Sequence, residues 1–436
     1  MAEAIKPLTI GPTTLVGFPR LGIDKIPAKV DTGADSSSIW ASNIRESRGW
    51  LYFTLFGDTS PYFTGEELKT RDYQVRSIKN SFGQTEFRYK VKLAASIEGR
   101  SIKVRFTLAN RSASAYPILI GRRTLHGRFL VDVTRHHKDI KQKVLVLDVK
   151  KINSVENFFV KLEAESKNLS FRHTTIDDLN FLIDEKGVKA FVGTEDISNF
   201  DFVYFKSVMD NRDPAVALAH YLSKRGIPFL DRAIMHFPLN NKLAQYVVLA
   251  DESIRVPRSL YMSPSKMKDA YPYLVDYLGL PFVLKDVQGS KGRNNFLIKS
   301  QADFDTLYSN QATSGLSFIA QQFIPNDGDY RVLVFGKRVG LVIQRKGAGG
   351  SHLNNVSSGG AAAMSDERVL PGSIRRKCVQ AADLIKLEVA GIDVVKDKST
   401  GLWYFLEVQH GPQITSSSFV DEKRAEFLKF LNKKLR

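Results

Sequence analysis

The feature that most constrains this chain is a change of hydrophobic period near residue 136. Before it, apolar and polar residues alternate in short runs, at Leu51–Phe56, Glu86–Leu93 and Ser101–Leu108. Period two, rich in Phe, Tyr, Val and Thr, is the pattern of a half-buried strand. Residues 8–134 therefore read as a compact, mostly β domain. The polar stretch His136-His-Lys-Asp139 ends it. Strand patterns at Lys143–Asp148, Lys189–Val192 and Phe202–Phe205 then alternate with helical ones at Val155–Lys167 and Pro214–Leu222. The second helix is expected to open with Asp213 as cap and Pro214 at its first position. This alternation predicts a small parallel α/β unit. From about residue 237 helices and strands mix in an α+β pattern, and Asp421–Arg436 reads as a basic amphipathic helix on a solvated surface. The expected boundaries are 1–138, 139–236 and 237–436.

Composition narrows the function classes. The net charge of +17 is spread, with 22 basic against 13 acidic residues up to residue 140 and 41 against 33 beyond. Spread charge favours anionic partners in general. It disfavours nucleic acid, and with it an RNA-bound adaptor, because no concentrated basic patch is interleaved with aromatics. The single cysteine, Cys378, excludes a disulfide framework within the chain and points to the cytoplasm. The N-terminus lacks the apolar core of a signal peptide, and no apolar run approaches 18 residues, so no membrane partner is expected.

Four features of the second half converge. Pro281-Phe-Val-Leu-Lys285-Asp is a strand that delivers a lysine into the loop Gly289-Ser290-Lys-Gly292-Arg-Asn-Asn. Glycines let backbone N–H groups approach phosphates, and the lysine adds charge. Ala320-Gln321-Gln322-Phe323-Ile324 runs through an acidic turn with Asp329 and out through Arg331. Its backbone could pair with a base edge, and a carboxylate such as Asp329 could accept from ribose hydroxyls. Asp393, Glu407 and Gln409 form a set of hard oxygen donors; Glu407 and Gln409, two apart, share one strand face. In this reading Asp393 ends a short strand and a turn at 396–401 folds back beside it. Asn240-Asn-Lys242 reads as a helix start.

This ordered set resembles the RimK-like carboxylate–amine ligases of the ATP-grasp superfamily, over about residues 143–420. The resemblance implies two α+β lobes clamping ATP behind an α/β pre-ATP-grasp domain. Carried over by residue, Lys242 and Lys285 would hold phosphates together with Gly289, Ser290 and Gly292. Gln321, Gln322, Phe323 and Ile324 would line the adenine, and Asp329 would meet the ribose. Arg331 and Arg345 would neutralise phosphoryl charge, and Asn355 would face the reacting centre. Asp393, Glu407 and Gln409 would hold Mg²⁺ (or Mn²⁺). The loops at 289–295 and 347–350 would exclude water from an acyl phosphate. Three departures stand out. Glu407-Val-Gln409 replaces the family's usual Glu-Val-Asn. Asn294 stands near a customary third glycine. Leu353 and Ser358 occupy places that often hold arginines, which weakens recognition of an acidic amino acid, although Arg345 and Lys346 remain nearby.

The N-terminal third carries Ile26-Pro-Ala-Lys-Val-Asp31-Thr-Gly-Ala-Asp and, about ninety residues on, Tyr116-Pro-Ile-Leu-Ile-Gly121. This pairing resembles the retropepsin-like aspartic peptidases, and within them the RimB-like group, over about residues 8–135. The resemblance implies an all-β barrel with Asp31 as the candidate peptidase carboxylate. An aspartic dyad needs two carboxylates, and one Asp-Thr-Gly is present, so a working dyad requires a homodimer. His126, His136 and His137 have no zinc-type spacing, and zinc is not expected there. The main expectation is an ATP-dependent ligase adding an amino acid such as glutamate to a peptide, protein or small amine, with a fused domain that trims or binds the product. The rival is an aspartic peptidase regulated by a nucleotide-binding half.

Overall fold

The computed structural model describes residues 6–79, 85–112, 114, 116–133, 135, 137, 140–166, 168–185, 187–208, 212–236, 241–287, 289, 294–310, 313, 315–347 and 360–435. These form two compact units, residues 1–145 with 163–202, and residues 146–162 with 203–435. The expected roles of Ser290, Gly292 and Asn355 fall outside the described residues, as do Leu353, Ser358, His136 and most of 347–350.

In the first unit six strands close on themselves. Ile118–Gly121 pairs in parallel with Ile23–Asp31 and antiparallel with Ser37–Ser47. From Ile23–Asp31 the ring continues through Thr13–Phe18, Thr85–Ile97 and Arg100–Ala109. The last of these returns in parallel to Ser37–Ser47. Closure removes the exposed edges that an open sheet of this length would carry. The alternation read from sequence is what fills the ring: Val104, Phe106 and Leu108 are buried, with Val16, Phe18 and Ile39 against them. Each such side chain stabilises the fold by about 1.5–3 kcal/mol. The barrel is therefore the all-β domain anticipated above.

Further along, Gly187–Val192 pairs antiparallel with Leu179–Asp184, from Asp184 opposite Gly187 to Leu179 opposite Val192. This corrects the expectation of a parallel strand there. The two strands are joined through only two residues, and a parallel pair needs a crossover of a dozen or more. Gly187, at φ +123°, supplies the conformation the tight turn requires.

In the second unit Phe202–Ser207 pairs in parallel with Phe229–Leu230 from Val203 onward. The intervening helix, Arg212–Arg225, starts before Asp213, which lies in its first turn rather than capping it. Two larger sheets follow. The first orders Ser259–Tyr261, Phe318–Gln322, Phe282–Asp286 and Asn295–Ile298. Helices Tyr271–Leu278 and Gln301–Ser309 pack on it through Leu274, Phe304 and Leu307. The second orders Ala361–Ser365, Arg338–Lys346, Asp329–Phe335, Val389–Lys396 and Trp403–His410. Helix Gly372–Leu384 covers it with Cys378, Ala381 and Ala382.

The C-terminal helix, Val420–Lys434, is not the solvated surface helix its charge suggests. Phe427 packs on Phe158 and Tyr204, with ring centres 6.4 and 5.4 Å away, and Phe430 and Leu431 are buried beside it. Positions 427, 430 and 431 recur at helical spacing, and this apolar stripe outweighs the exposed Lys429 and Lys433.

Candidate functional site

The five-stranded sheet sets the site by register. Asp329 lies opposite Arg345, and Arg331 opposite Asp393. Asp393 in turn lies opposite Glu407, and Gly391 opposite Gln409. Asp393 thus sits inside a strand of eight residues rather than at the end of a short one. Four adjacent strands each contribute acidic or basic side chains to the site.

Those side chains meet. Arg345 grips Asp329 with two hydrogen bonds, Nε to Oδ1 at 2.7 Å and Nη2 to Oδ2 at 2.9 Å. Its Nη2 also lies 3.1 Å from Asp393 Oδ2. Arg331 donates to Asp393 through Nε and, at 3.1 Å, through Nη2. Gln409 Nε2 lies 3.1 Å from Glu407 Oε2 and 3.4 Å from Asp393 Oδ2. Asp329, Arg345 and Asp393 are all buried. Burial opposes charge on Asp393, yet Arg331 and then Arg345 hold its carboxyl below the ordinary range. Gly391 leaves room for this packing, since a Cβ there would come within 3.0 Å of Arg331 Cδ.

The other sheet and the helix Lys242–Asp251 deliver cations. Lys285 Nζ donates to Gln321 Oε1 at 2.5 Å, across the strand pair that sets Val283 opposite Gln321. Burial pushes the Lys285 ammonium down to about 8, against the pull of Glu407, Asp393 and Asp329. Lys242 opens the helix Lys242–Asp251, where the Asn241 side chain accepts from Ala244 N at 2.7 Å. Its Nζ donates to the Gly289 carbonyl, and burial lowers its pKa. Gln321 is fully buried and also donates through Nε2 to Ser259 Oγ at 3.0 Å. Gln322 N donates to Arg258 O at 2.9 Å, and Ile324 is buried beyond it.

Residues that sequence reading missed hold the site together. Gln245, buried one turn after Lys242, hydrogen-bonds both backbone groups of Val408, between Glu407 and Gln409. Tyr246 Oη donates to Leu406 O at 2.7 Å. Lys423 is buried and donates to Gln413 O, Ser416 O and Ser417 Oγ at 3.0–3.2 Å, fixing the segment that follows the Glu407 strand. The signal available for Gln245 was a lone amide in the otherwise apolar helical run Leu243–Ala250.

Asp393, Glu407 and Gln409 are an all-oxygen donor set suited to a hard divalent cation. The Gln409 amide spans both carboxylates, and turning it end for end presents Oε1 in place of Nε2. The residues present therefore fit Mg²⁺ or Mn²⁺.

In the barrel, Asp31 ends its strand where Ile118–Gly121 runs alongside, with Gly121 opposite Asp31. Asp31 Oδ1 accepts from Gly33 N at 2.9 Å and Ala34 N at 3.0 Å. A Cβ at Gly121 would lie 2.6 Å from the Ser36 backbone, so only glycine lets the two segments approach.

Both parts of the chain are similar to known proteins. Residues 239–424 match the RimK-like ATP-grasp domain, and residues 14–142 match the retropepsin-like aspartic endopeptidase RimB. A probable alpha-L-glutamate ligase of Parasynechococcus marenigrum is 25% identical over 431 residues, covering 93% of this chain and 91% of that protein. One of Shewanella pealeana is 24% identical, covering 92% of each. Among solved structures, the ATP-grasp ligase PsnB, complexed with a precursor variant, Mg and ADP, aligns with a TM-score of 0.51 at 15% identity, over 68% of this chain and 100% of its own. The VanG D-Ala:D-Ser ligase of Enterococcus faecalis aligns at 0.50 with 14% identity, over 68% of this chain and 100% of its own. These likenesses establish a shared fold. Among the described residues no helix is long and apolar enough to cross a membrane.

Proposed function

We propose that this chain, whose residues 239–424 match the RimK-like ATP-grasp domain and 14–142 the RimB-like retropepsin domain, joins the α-amino group of glutamate to a carboxylate, or a glutamate carboxylate to an amine, on a peptide substrate. The observation that carries this reading is the Asp393–Glu407–Gln409 set, held opposite Arg331 and Arg345 and approached by Lys285 and Lys242.

A carboxylate is a poor electrophile, and ATP makes it reactive by transferring its γ-phosphoryl group to give an acyl phosphate. That transfer is catalysed chiefly by positioning and by neutralising charge. Lys242 and Lys285 bind the phosphate chain; both are desolvated, so their charge acts with little screening. Gln321 to Ile324 receive the adenine, with the Gln321 side chain already fixed by Lys285 and Ser259. Arg331 and Arg345 orient and neutralise the phosphoryl oxygens. To do so they exchange part of their hold on Asp393, and Asp329 keeps Arg345 in place. Asp393, Glu407 and Gln409 would hold Mg²⁺, which supplies charge neutralisation on the phosphates when bound. The amine attacks the acyl carbon and phosphate leaves, forming one amide bond.

Glutamate as the added group is supported by the relatives named for that activity. The peptide nature of the other substrate is supported by the fused barrel. The test is ADP release from Mg²⁺-ATP with glutamate and short peptides, with mass spectrometry of each mixture. Glutamate-dependent ADP release with a mass gain of one glutamyl residue, lost in Glu407→Ala, bears the reading out. Equal turnover in Glu407→Ala overturns it.

A further inference from the structure

The first unit contains a cavity of about 590 Å³ that neither the ATP-grasp site nor the Asp31 turn uses. Asp31 is not among its lining residues. Its lining includes the aromatic residues Trp40, Tyr62 and Phe191. The first two are braced. Trp40 N donates to Pro117 O at 2.9 Å, Trp40 O accepts from Phe56 N at 2.8 Å, and the Phe56 ring lies 5.8 Å from that of Tyr62. A Cβ at Gly57 would come within 2.8 Å of the Trp40 indole, so the indole packs directly against that glycine.

Arg111 supplies an uncompensated charge. Its Nε donates to Tyr116 O at 3.1 Å, and no carboxylate among the described residues pairs with it. Burial pushes its pKa down to about 10. The carboxylates that share the lining are taken. Glu195 is held by Arg172 and Lys143, and Asp196 accepts from Ser198 N and Oγ. The cavity also holds an unmet acceptor: Asn199 Oδ1 is buried and has no hydrogen-bond partner among the described residues. Leaving a buried acceptor unmet is costly.

One ligand chemistry answers all three features. A guanidinium fork pairs with a carboxylate, Asn199 Oδ1 accepts an N–H, and the aromatic residues of the lining take an apolar side chain. A phosphate dianion fits poorly beside Glu195 and Asp196 with one unpaired cation. We propose that this cavity binds the α-carboxylate and adjacent N–H of an amino-acid residue, at the C-terminus of a peptide or as a free amino acid. The proposal does not rest on the ligase reading, and its test contains no nucleotide.

The probes are acetyl-Ala-Phe with a free carboxylate, the same peptide amidated at its C-terminus, free phenylalanine, and inorganic phosphate. Binding to the full chain is followed by calorimetry and by tryptophan fluorescence, with a Trp40→Phe protein to assign the signal. The free-carboxylate peptide is expected to bind, and amidation to weaken it at least about tenfold, the loss of one charged contact. Arg111→Gln should give a similar loss, Arg111→Lys an intermediate one, with thermal unfolding near wild type. Stronger binding of the peptide than of phenylalanine assigns a chain terminus, and the reverse assigns a free amino acid. Equal binding of the free and amidated peptides by wild type, no binding of either form and of phenylalanine, or stronger binding of phosphate, overturns the proposal. Because the amidation arm uses unaltered protein, a variant that fails to fold does not spoil the test.

Discussion

The side-chain amide of Gln245 closes a ring with the backbone of Val408, donating from Nε2 to the carbonyl at 2.8 Å and accepting at Oε1 from the amide at 3.0 Å. Val408 separates Glu407 from Gln409, so this one buried side chain, three residues after Lys242, fixes the backbone between two candidate metal ligands. Gln245→Leu leaves both backbone groups unmet and is expected to destabilise the second unit by roughly 1–3 kcal/mol. Gln245→Glu replaces the amide donor with an ionisable carboxyl, and a purely structural residue would lower stability alone. A positioning role predicts in addition that the Mg²⁺ concentration for half-maximal ADP release rises several-fold in Gln245→Glu.

At the candidate ligands themselves, Gln409→Asn shortens the amide by one methylene and should keep most ligase activity. Gln409→Ala removes the oxygen and should raise the Mg²⁺ requirement about 10–100-fold. Titrating Mg²⁺ at saturating ATP separates the two. An unchanged requirement in Gln409→Ala would remove Gln409 from the site.

Lys285 gives a pH dependence. Its folded-state pKa, pushed down to about 8, lies below the ordinary lysine range, so above that pH the free protein carries a neutral amine there. The proposed phosphate-binding role requires the ammonium. ATP affinity should therefore fall as pH rises through about 8, and binding should take up protons there. Calorimetry in buffers of different ionisation enthalpy reads the uptake. Lys285→Arg stays charged and should flatten the profile.

Asp231 acts on stability with the opposite kind of shift. Burial raises its carboxyl to about 7, although Glu388 N donates to Oδ1 at 2.7 Å. The native state then holds a proton that the unfolded chain releases near pH 4. The stability this supplies is complete below that pH and is lost as pH rises through about 7. Asp231→Asn lacks the titration, so its stability relative to wild type should increase from pH 5 to pH 8 in urea unfolding.

Gly328 sits at φ +123° directly before Asp329, and a Cβ there would lie 2.5 Å from the Arg345 carbonyl. Gly328→Ala should cost about 1–3 kcal/mol and displace the Asp329–Arg345 pair. A matched loss of ADP release would tie that pair to turnover.

Much of this was legible from the chain alone, for identifiable reasons. The barrel strands announce themselves because half-buried strands must alternate. The charged residues of the site sit in an order that strand register converts into proximity: Arg331, Asp393 and Glu407 are far apart in sequence yet consecutive across the sheet. What was not legible depended on partners that no local pattern names. Gln245 looks like any helical amide until Val408 is placed against it. The direction of Gly187–Val192 was set by a two-residue connection, not by its hydrophobic content. The C-terminal helix was misread because its lysines dominate composition while Phe427, Phe430 and Leu431 decide its packing.

Ile118–Gly121 lies between two strands of the barrel, parallel to one and antiparallel to the other, with Gly121 against the loop that follows Asp31. The loop carrying Asp31 therefore has no hinge of its own. To open it, the chain must give up the strand that closes the ring, and with it the ring. The amides of Gly33 and Ala34, bonded to Asp31 Oδ1 at the protein surface, should then exchange hydrogen at the slow pace of global barrel unfolding rather than that of a surface turn.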